Sequence, residues 1–307
     1  MTAHGAALGF RTRPACPVCA HEGSRVLWSG RFSDSAIAGH LDQFFYSGDW
    51  RAGLGETEFA LHECARCTMK WHARVIDDAA VGVLYGAWAD AAQARRFEAA
   101  HVPGQDDPFA GAAQLAKLIL RLRHLTAPAA RPRVLDFGCG EGRLLRMARA
   151  LACDAVGVDI SASRTAAIRA EGLRILPDLA ALDAASLGPF DAVVLSQVLE
   201  HVPEPRGLLE ALAARLRPGG VLFVAVPDTS GVGVPRDFHQ FTLVQPLEHV
   251  NAFTPKSLRE IGRQVGLVPI RRPVAFLTTT PGAALRTALN WIWQPATTDV
   301  FFRKPTA

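Results

Sequence analysis

The sequence predicts an α/β fold with a small cysteine-rich module ahead of it. After Pro132, short runs of β-branched and apolar residues alternate with amphipathic segments, the pattern of a parallel sheet with crossover helices. Two Cys-x-x-Cys pairs lie in the first quarter of the chain. With 307 residues, 49% of them apolar, the chain can form one sizeable core and a smaller attached part.

Each predicted strand is a short apolar run next to turn residues. The strands are expected at RVLDF (133–137), AVGVDI (155–160), LRIL (173–176), DAVVLS (191–196) and VLFVAV (221–226), with a last pair around 273–277 and 299–304. Proline and glycine in 215–220 are expected to end one helix. Thr254 as N-cap, with Pro255 in the first turn, is expected to begin another.

Three parts are expected along the chain. They are a cysteine module with an insert (1–77), a helical connector and lid (78–128) and the α/β domain (129–307). In the connector, apolar residues at positions i, i+3, i+4 and i+7 predict a helix with one buried stripe. These residues are Leu115, Leu118, Ile119 and Leu122.

The charge pattern disfavours nucleic acid as a partner. The net charge is +4, and residues 1–75 carry eight Lys/Arg against seven Asp/Glu, so this module has no basic stripe for phosphates. The sequence has no apolar run long enough for a signal peptide core or a membrane span, which predicts a cytoplasmic protein. In that setting six cysteines indicate metal binding or chemistry more than disulfides.

The two cysteine pairs predict a zinc site. Each Cys-x-x-Cys hairpin places two thiolates on one side of a tight turn, and two such turns complete a tetrahedral shell. The four ligands are Cys16, Cys19, Cys64 and Cys67. A shell closed by four protein ligands has no open position, so the Zn²⁺ is expected to be structural.

A glycine-rich turn follows the first predicted strand in LDFGCGEGR. Its glycines let the backbone approach a ligand closely, but a dinucleotide site would need G-x-G-x-x-G, and here the third glycine comes one residue early. Asp136 places a negative charge beside this turn, which suits a cationic ligand such as S-adenosylmethionine. Asp159, 17 residues beyond Gly142, ends the next strand, where a carboxylate can accept both ribose hydroxyls.

VLDFGCGEG, VGVDIS, FDAVVLSQVLEHV and LRPGGVLFVAVP resemble, in order, the successive motifs of the class I S-adenosylmethionine-dependent methyltransferases. The resemblance covers about residues 110–307 and implies a Rossmann-like, seven-stranded sheet with the last strand antiparallel. It implies S-adenosylmethionine as the cofactor, bound over the strand ends. The cofactor-binding residues that it implies are Asp136, Gly138, Cys139, Gly140, Gly142, Asp159, Ile160, Asp178, Leu179, Ser196 and Gln197.

The tetrapeptide LEHV occurs twice, at 199–202 and 247–250. The first copy follows the fourth strand, where the family holds the methionine part of the cofactor. The second lies in a long loop that resembles the family segment EHxxxF(T/S)xxxL and is expected on the acceptor side. His249 is the first candidate for a general base, followed by His239 and His201; for His201 and His249 a role in holding the local backbone is the alternative.

A zinc module before such a domain resembles two groups of enzymes, the bacterial sugar C-methyltransferases of polysaccharide and natural-product pathways and the zinc-finger rRNA methyltransferases. The first is favoured, because SQVL stands where amino-methylating nucleic-acid enzymes carry N/D-P-P-Y/F. The sugar C-methyltransferases carry a further C-terminal domain that this sequence does not predict, so sugar C-methylation is less expected and O-methylation stays open. The expected function is methyl transfer to oxygen or carbon of a small-molecule, sugar or glycan acceptor. An RNA methyltransferase and a non-catalytic S-adenosylmethionine-binding protein are the alternatives.

Overall fold

Seven strands from the second half of the chain form one mixed sheet in the computed structural model. The model describes residues 8–43, 46, 50–84, 88, 97, 111–273, 282, 285, 288–289, 292–293 and 296–306. The chain divides into two units. Unit 1 comprises Met1–Pro108, Glu200–Pro205 and Pro227–Ser257; unit 2 comprises Phe109–Leu199, Arg206–Val226 and Leu258–Ala307.

The strands and helices of the described residues alternate most regularly in unit 2. The strands are β1 (Phe10–Thr12), β2 (Ser24–Arg31), β3 (Glu58–Cys64), β4 (Lys70–His72), β5 (Arg74–Ile76), β6 (Arg133–Phe137), β7 (Asp154–Val158), β8 (Arg174–Leu176), β9 (Phe190–Ser196), β10 (Leu216–Ala225), β11 (Asn251–Ala252), β12 (Val268–Ile270) and β13 (Asp299–Arg303). The helices are α1 (Ser35–Gln43), α2 (Trp50–Leu54), α3 (Asp78–Val83), α4 (Ala112–Leu125), α5 (Arg143–Ala150), α6 (Ala162–Ala170), α7 (Leu179–Ala184), α8 (Pro205–Ala214), α9 (Phe238–Val244) and α10 (Pro255–Gln264).

The sheet of unit 2 has the order β12-β13-β10-β9-β6-β7-β8. Strand β13 is antiparallel to both of its neighbours, and the pairs from β10 to β8 are all parallel. This confirms the predicted fold class of a seven-stranded α/β sheet with the last strand reversed. The carboxyl ends of β6, β7 and β9 therefore share one edge, where ligands of open α/β sheets bind.

Helix α4 covers the sheet with the apolar stripe that the sequence predicts. Ile119 and Leu122 are fully buried, and Leu115 and Leu118 pack against the same core as Val134 and Val194 of the sheet. Thr254 begins α10 as predicted: its hydroxyl accepts a hydrogen bond from Ser257 N, while its own N–H donates to Ser257 Oγ.

Two strand predictions differ from the structure. Strand β10 begins at Leu216, because Leu216 pairs with Phe190 before a register shift leads to the pairing of Val221 with Ala192. The helix before this stretch ends at Ala214, as predicted, while the Pro-Gly-Gly residues themselves lie in the irregular first part of the strand. Most of the strand expected at 273–277 lies outside the described residues; the strand that pairs with β13 is β12.

Unit 1 has its own sheet, of order β11-β4-β3-β2, and the short pair β1-β5. Trp50 and Trp71 are buried, and Trp28 packs edge-on against Phe59 at a ring distance of 4.5 Å. Trp50 and Trp28 belong to an apolar cluster that also contains Phe32, Ile37 and Leu41. Among the described residues, no helix has the length and apolar character needed to cross a membrane.

Packing of α10 against β13 depends on a glycine. A Cβ added at Gly262 would lie 2.1 Å from Cε1 of the fully buried Phe302. Gly262→Ala should therefore lower the free energy of unfolding by about 1–3 kcal/mol. In Gly207→Ala, on α8, the Cβ meets no atom within 4 Å, so this control should be neutral or stabilising by up to about 1 kcal/mol. Urea denaturation measures both; equal stability of the two variants would contradict this packing.

Candidate functional site

The turn between β6 and α5 has a backbone that only glycine tolerates at its tightest point. Gly138 has φ +77°, and a Cβ there would lie 2.3 Å from Val198 Cγ2. The N–H groups of Gly138 and Cys139 donate to the carbonyl of Val158, at 2.8 and 3.1 Å. The turn is thus fixed against the end of β7, with backbone exposed where a ligand can approach.

Asp159 joins this turn to the start of the next helix. Its Oδ2 accepts a hydrogen bond from Gly140 N at 2.8 Å, and its Oδ1 accepts one from Ser161 N at 2.9 Å. A carboxylate has about four acceptor positions, so these two bonds leave room for two more donors. Asp159 can therefore hold the loop and still accept the two hydroxyls of a ribose.

Asp136 is a buried carboxyl at the end of β6, with only 5% of its surface exposed. Burial, and then the negative charge of Asp159, raise its pKa to about 7. The ionised form is thus disfavoured until a positive group lies nearby. The arrangement fits a cationic ligand, and the amino and sulfonium groups of S-adenosylmethionine are such cations.

The other predicted cofactor residues lie in different surroundings. Ile160, next to Asp159, is 73% exposed, which provides an apolar surface for a nucleobase such as adenine. Ser196 and Gln197 are exposed at the end of β9, and Gln197 has the left-handed φ of +55°. Asp178 caps α7, since its Oδ1 accepts from Ala181 N at 2.7 Å. An adenine contact by Asp178 and the half-exposed Leu179 remains a prediction.

The histidines of the two LEHV copies come together in unit 1. The rings of His201 and His249 are 4.8 Å apart at an interplanar angle of 77°. Glu200, 2% exposed, has Oε1 4.0 Å from His201 Nε2, and one donor atom from each of the three residues lies within 4.8 Å of the others. His239 is exposed on α9. Two of the three predicted histidines therefore share one cluster.

Burial sets the protonation of this cluster. It lowers the pKa of His249 to about 4, against an opposite effect from the backbone at Leu243 and Thr242. It also raises the pKa of Glu200 to about 8. Near pH 7 the imidazole is neutral and the carboxyl is mostly protonated. His249 Nδ1 and both carboxyl oxygens of Glu200 are buried without a hydrogen-bond partner among the described residues, so the cluster holds unused hydrogen-bonding capacity.

The sequence did not predict the partners of Glu248, the residue before His249. Tyr46 donates its hydroxyl hydrogen to Glu248 Oε2 at 2.6 Å, and Gln245 Nε2 lies 3.2 Å from both partners. Tyr46 is 202 residues from Glu248, so no local motif joins them. The only signal in the sequence was the position of Glu248 beside His249.

The four predicted metal cysteines form one group. Sγ distances are 3.6 Å for Cys16 to Cys67, 3.7 Å for Cys19 to Cys64 and 3.6 Å for Cys19 to Cys67. A tetrahedral site with Zn–S bonds of about 2.3 Å requires S···S distances of about 3.8 Å, whereas a disulfide would need about 2 Å. The sulfurs are therefore spaced for a metal. Cys139 and Cys153 are buried elsewhere, and burial raises the pKa of Cys139 to about 12.

Residues 110–271, more than half of the chain, match the family model described as a methyltransferase domain. The chain belongs to this methyltransferase family, in agreement with the order of its sheet and with the carboxylates beside its glycine loop.

Curated relatives include the ubiquinone biosynthesis O-methyltransferase of Xanthomonas campestris pv. campestris (strain B100). It is 34% identical over 115 residues, which are 34% of this chain and 48% of that protein. The protein of the same name from Ralstonia nicotianae is 35% identical over 105 residues, 32% of this chain and 44% of that one. The chain spans about half the length of the curated relatives it matches.

Solved structures resemble the chain in outline. An O-methyltransferase family protein from Burkholderia thailandensis has a TM-score of 0.46 and 18% identity, covering 71% of this chain and 62% of its own. The magnesium protoporphyrin IX methyltransferase of Synechocystis PCC 6803, with bound SAM, has a TM-score of 0.42 and 16% identity, covering 66% and 84%. Family membership rests on the match of residues 110–271.

The raised pKa of Asp136 predicts a pH-dependent affinity for S-adenosylmethionine. A bound cation lowers this pKa, so the ligand binds the ionised form and binding releases a proton below pH 7. Affinity should fall by up to about tenfold per pH unit as the pH drops below 7. Calorimetry at several pH values, in buffers of different ionisation enthalpy, measures affinity and proton release. Asp136→Asn should bind weakly with little pH dependence; a wild-type affinity that does not change from pH 5.5 to 8 would contradict this role.

Proposed function

We propose that the protein transfers a methyl group from S-adenosylmethionine to an oxygen or carbon of a small-molecule, sugar or glycan acceptor. The observation that carries the proposal is the pair of carboxyl groups at the glycine loop, in a chain that belongs to a methyltransferase family. Asp136 would lie beside the cationic methionine part, and Asp159 would accept the ribose hydroxyls.

The histidine cluster supports an acceptor that must lose a proton. Methyl transfer to a hydroxyl or an acidic C–H needs alignment with the sulfonium and removal of that hydrogen. A neutral His249, whose Nδ1 has no hydrogen-bond partner in the described part of the chain, can accept a proton there. His201 and Glu200 would bind polar groups of the acceptor. A base of such low pKa is weak, so we expect alignment to provide most of the rate.

The composition of the module supports a small acceptor over RNA. Residues 1–75 have nearly balanced charge, and the curated relatives are named for ubiquinone biosynthesis, a small-molecule pathway. Protein bound to RNA through phosphates would need a basic face and would show a steep salt dependence. A protein that binds S-adenosylmethionine without turnover would have no need of a deprotonated histidine beside a buried acid.

We also propose that the four cysteines bind one structural Zn²⁺. The four sulfurs form a closed shell with no position for a substrate, so the ion would stabilise unit 1 and take no part in methyl transfer.

The first test is transfer of radiolabelled methyl from S-adenosylmethionine into a cell extract, followed by separation of small molecules, glycan and RNA. Label in the small-molecule or glycan fraction supports the proposal. Label in RNA supports the RNA alternative, and no label in any fraction supports the non-catalytic one.

His249→Gln should reduce the rate of this transfer by about 100- to 10,000-fold if His249 is the base. Because the pKa of His249 is about 4, this base stays unprotonated between about pH 6 and pH 8, so its titration should not change wild-type turnover in that range. Turnover should fall as the pH approaches 4. Binding of S-adenosylhomocysteine should be unchanged.

His124→Gln, an exposed histidine on α4, is the matched control and should keep wild-type turnover. Full turnover of His249→Gln, with cofactor still bound, would exclude His249 as the base and leave the cofactor assignment intact.

For the metal, elemental analysis of purified protein should find about one zinc per chain. Cys64→Ser should lose the zinc and lower the thermal unfolding midpoint, because metal binding contributes directly to folding. Cys153→Ala, a buried cysteine outside the cluster, should keep it. Full zinc content in Cys64→Ser would argue against a four-cysteine site.

A further inference from the structure

Arg13 places a buried guanidinium among the carbonyl groups of three separate chain segments. It is 6% exposed, and its nitrogens donate to His72 O, Val250 O, Pro203 O and Asn251 Oδ1 at 2.6 to 3.2 Å. None of these acceptors is a carboxylate. A buried charge is costly unless its donors are satisfied, and here neutral oxygens satisfy all three nitrogens.

Asn251 extends this set of hydrogen bonds to the first LEHV copy. Its side-chain Nδ2 donates to Val202 O at 2.6 Å, and its backbone N donates to Glu200 O at 3.0 Å. Arg13 and Asn251 together thus hold the backbone beside His201, at Glu200, Val202 and Pro203. Through Val250 O, the same guanidinium also holds the residue that follows His249.

Arg13 is itself fixed by the strands of unit 1. Its N–H donates to Ala73 O at 2.7 Å, and Trp71 Nε1 donates to its carbonyl at 3.1 Å. It lies three residues before Cys16, so the cysteine cluster and the histidine cluster are attached to the same short stretch of chain. Arg13 therefore connects the strands of unit 1 to the two turns that carry His201 and His249. Such a fixed connection can hold the two imidazole rings in a defined relative position.

We propose that Arg13 is a positioning residue for the histidine pair, and that its guanidinium, with Asn251, sets the placement of His201 relative to His249. The inference rests on the proposed function for its catalytic meaning, but the placement itself can be measured without an acceptor. It also gives the cysteine module a role: it supports the acceptor-side histidines and has no need to contact a substrate.

Histidine NMR provides the readout. Selective ¹³C labelling of the ten histidines, with His201→Gln and His249→Gln used for assignment, gives each ring's titration in the full-length, zinc-loaded protein. Among the described residues, the titratable and charged groups around His249 include Glu200, His201, His40, His72 and Arg13, together with the adjacent Glu248 and its partner Tyr46. Burial lowers the pKa of His249 to about 4, so a displaced ring that is less buried should titrate at higher pH.

Arg13→Met retains the volume and removes all five hydrogen bonds. The midpoint of His249 should rise from about 4 by at least about one pH unit toward the ordinary value near 6.5. Arg13→Lys should show a smaller rise, because an ammonium has three donors and no fork geometry. Turnover should fall by about tenfold or more in Arg13→Met, while the affinity for S-adenosylhomocysteine stays within about twofold.

Arg25→Met is the matched control. Arg25 is an exposed arginine of β2 in the same unit and pairs with Glu63 at 2.7 Å, so its loss should leave the histidine midpoints and turnover unchanged. If Arg13→Met shows no cooperative unfolding, and is therefore not folded, the His249 midpoint of Arg13→Lys is the test instead.

An unchanged His249 midpoint in a folded Arg13 variant would overturn the proposal, whatever the activity of His249→Gln. Full turnover of His249→Gln, together with a shifted midpoint in Arg13→Met, would instead overturn the base assignment alone.

Discussion

The carboxyl of Asp136, buried beside Asp159 where two adjacent parallel strands end, is the constraint on which the cofactor site depends. Two acids at one sheet edge repel each other, and the raised pKa of Asp136 reflects both this repulsion and its burial. A cationic ligand relieves this cost, and a pyrophosphate would add to it. The glycine turn serves the same site, because a side chain at Gly138 would collide with Val198 and close the approach.

In unit 1, hydrogen bonds between residues far apart in sequence add to an apolar core that includes Phe32, Leu41 and Phe59. Arg13 and Asn251 join the two turns that carry His201 and His249, and Tyr46 with Gln245 surrounds Glu248. The same four letters, LEHV, therefore occur at two positions with different local structure that meet in one cluster. Burial there favours the uncharged forms of both His249 and Glu200.

Sequence patterns predicted those features that depend on contacts between residues close in the chain. The stripe of α4, the capping by Thr254 and the spacing of the cysteine pairs all depend on residues close in sequence, or on a repeated turn. The early start of β10 was not predicted, because Leu216 gains a strand partner in Phe190 only through the tertiary fold. Arg13 and Tyr46 were missed for the same reason: neither belongs to a local motif, and their partners lie 59 to 238 residues away in the sequence.

The central claim is that the glycine loop and its two carboxyl groups bind S-adenosylmethionine. A crystal structure of the protein with S-adenosylhomocysteine tests it most directly. We expect both ribose hydroxyls within about 3.2 Å of the Asp159 carboxylate, the adenine against Ile160 and the amino group on the Asp136 side of the loop. A ligand bound elsewhere, or a ribose that makes no hydrogen bond to Asp159, would contradict it.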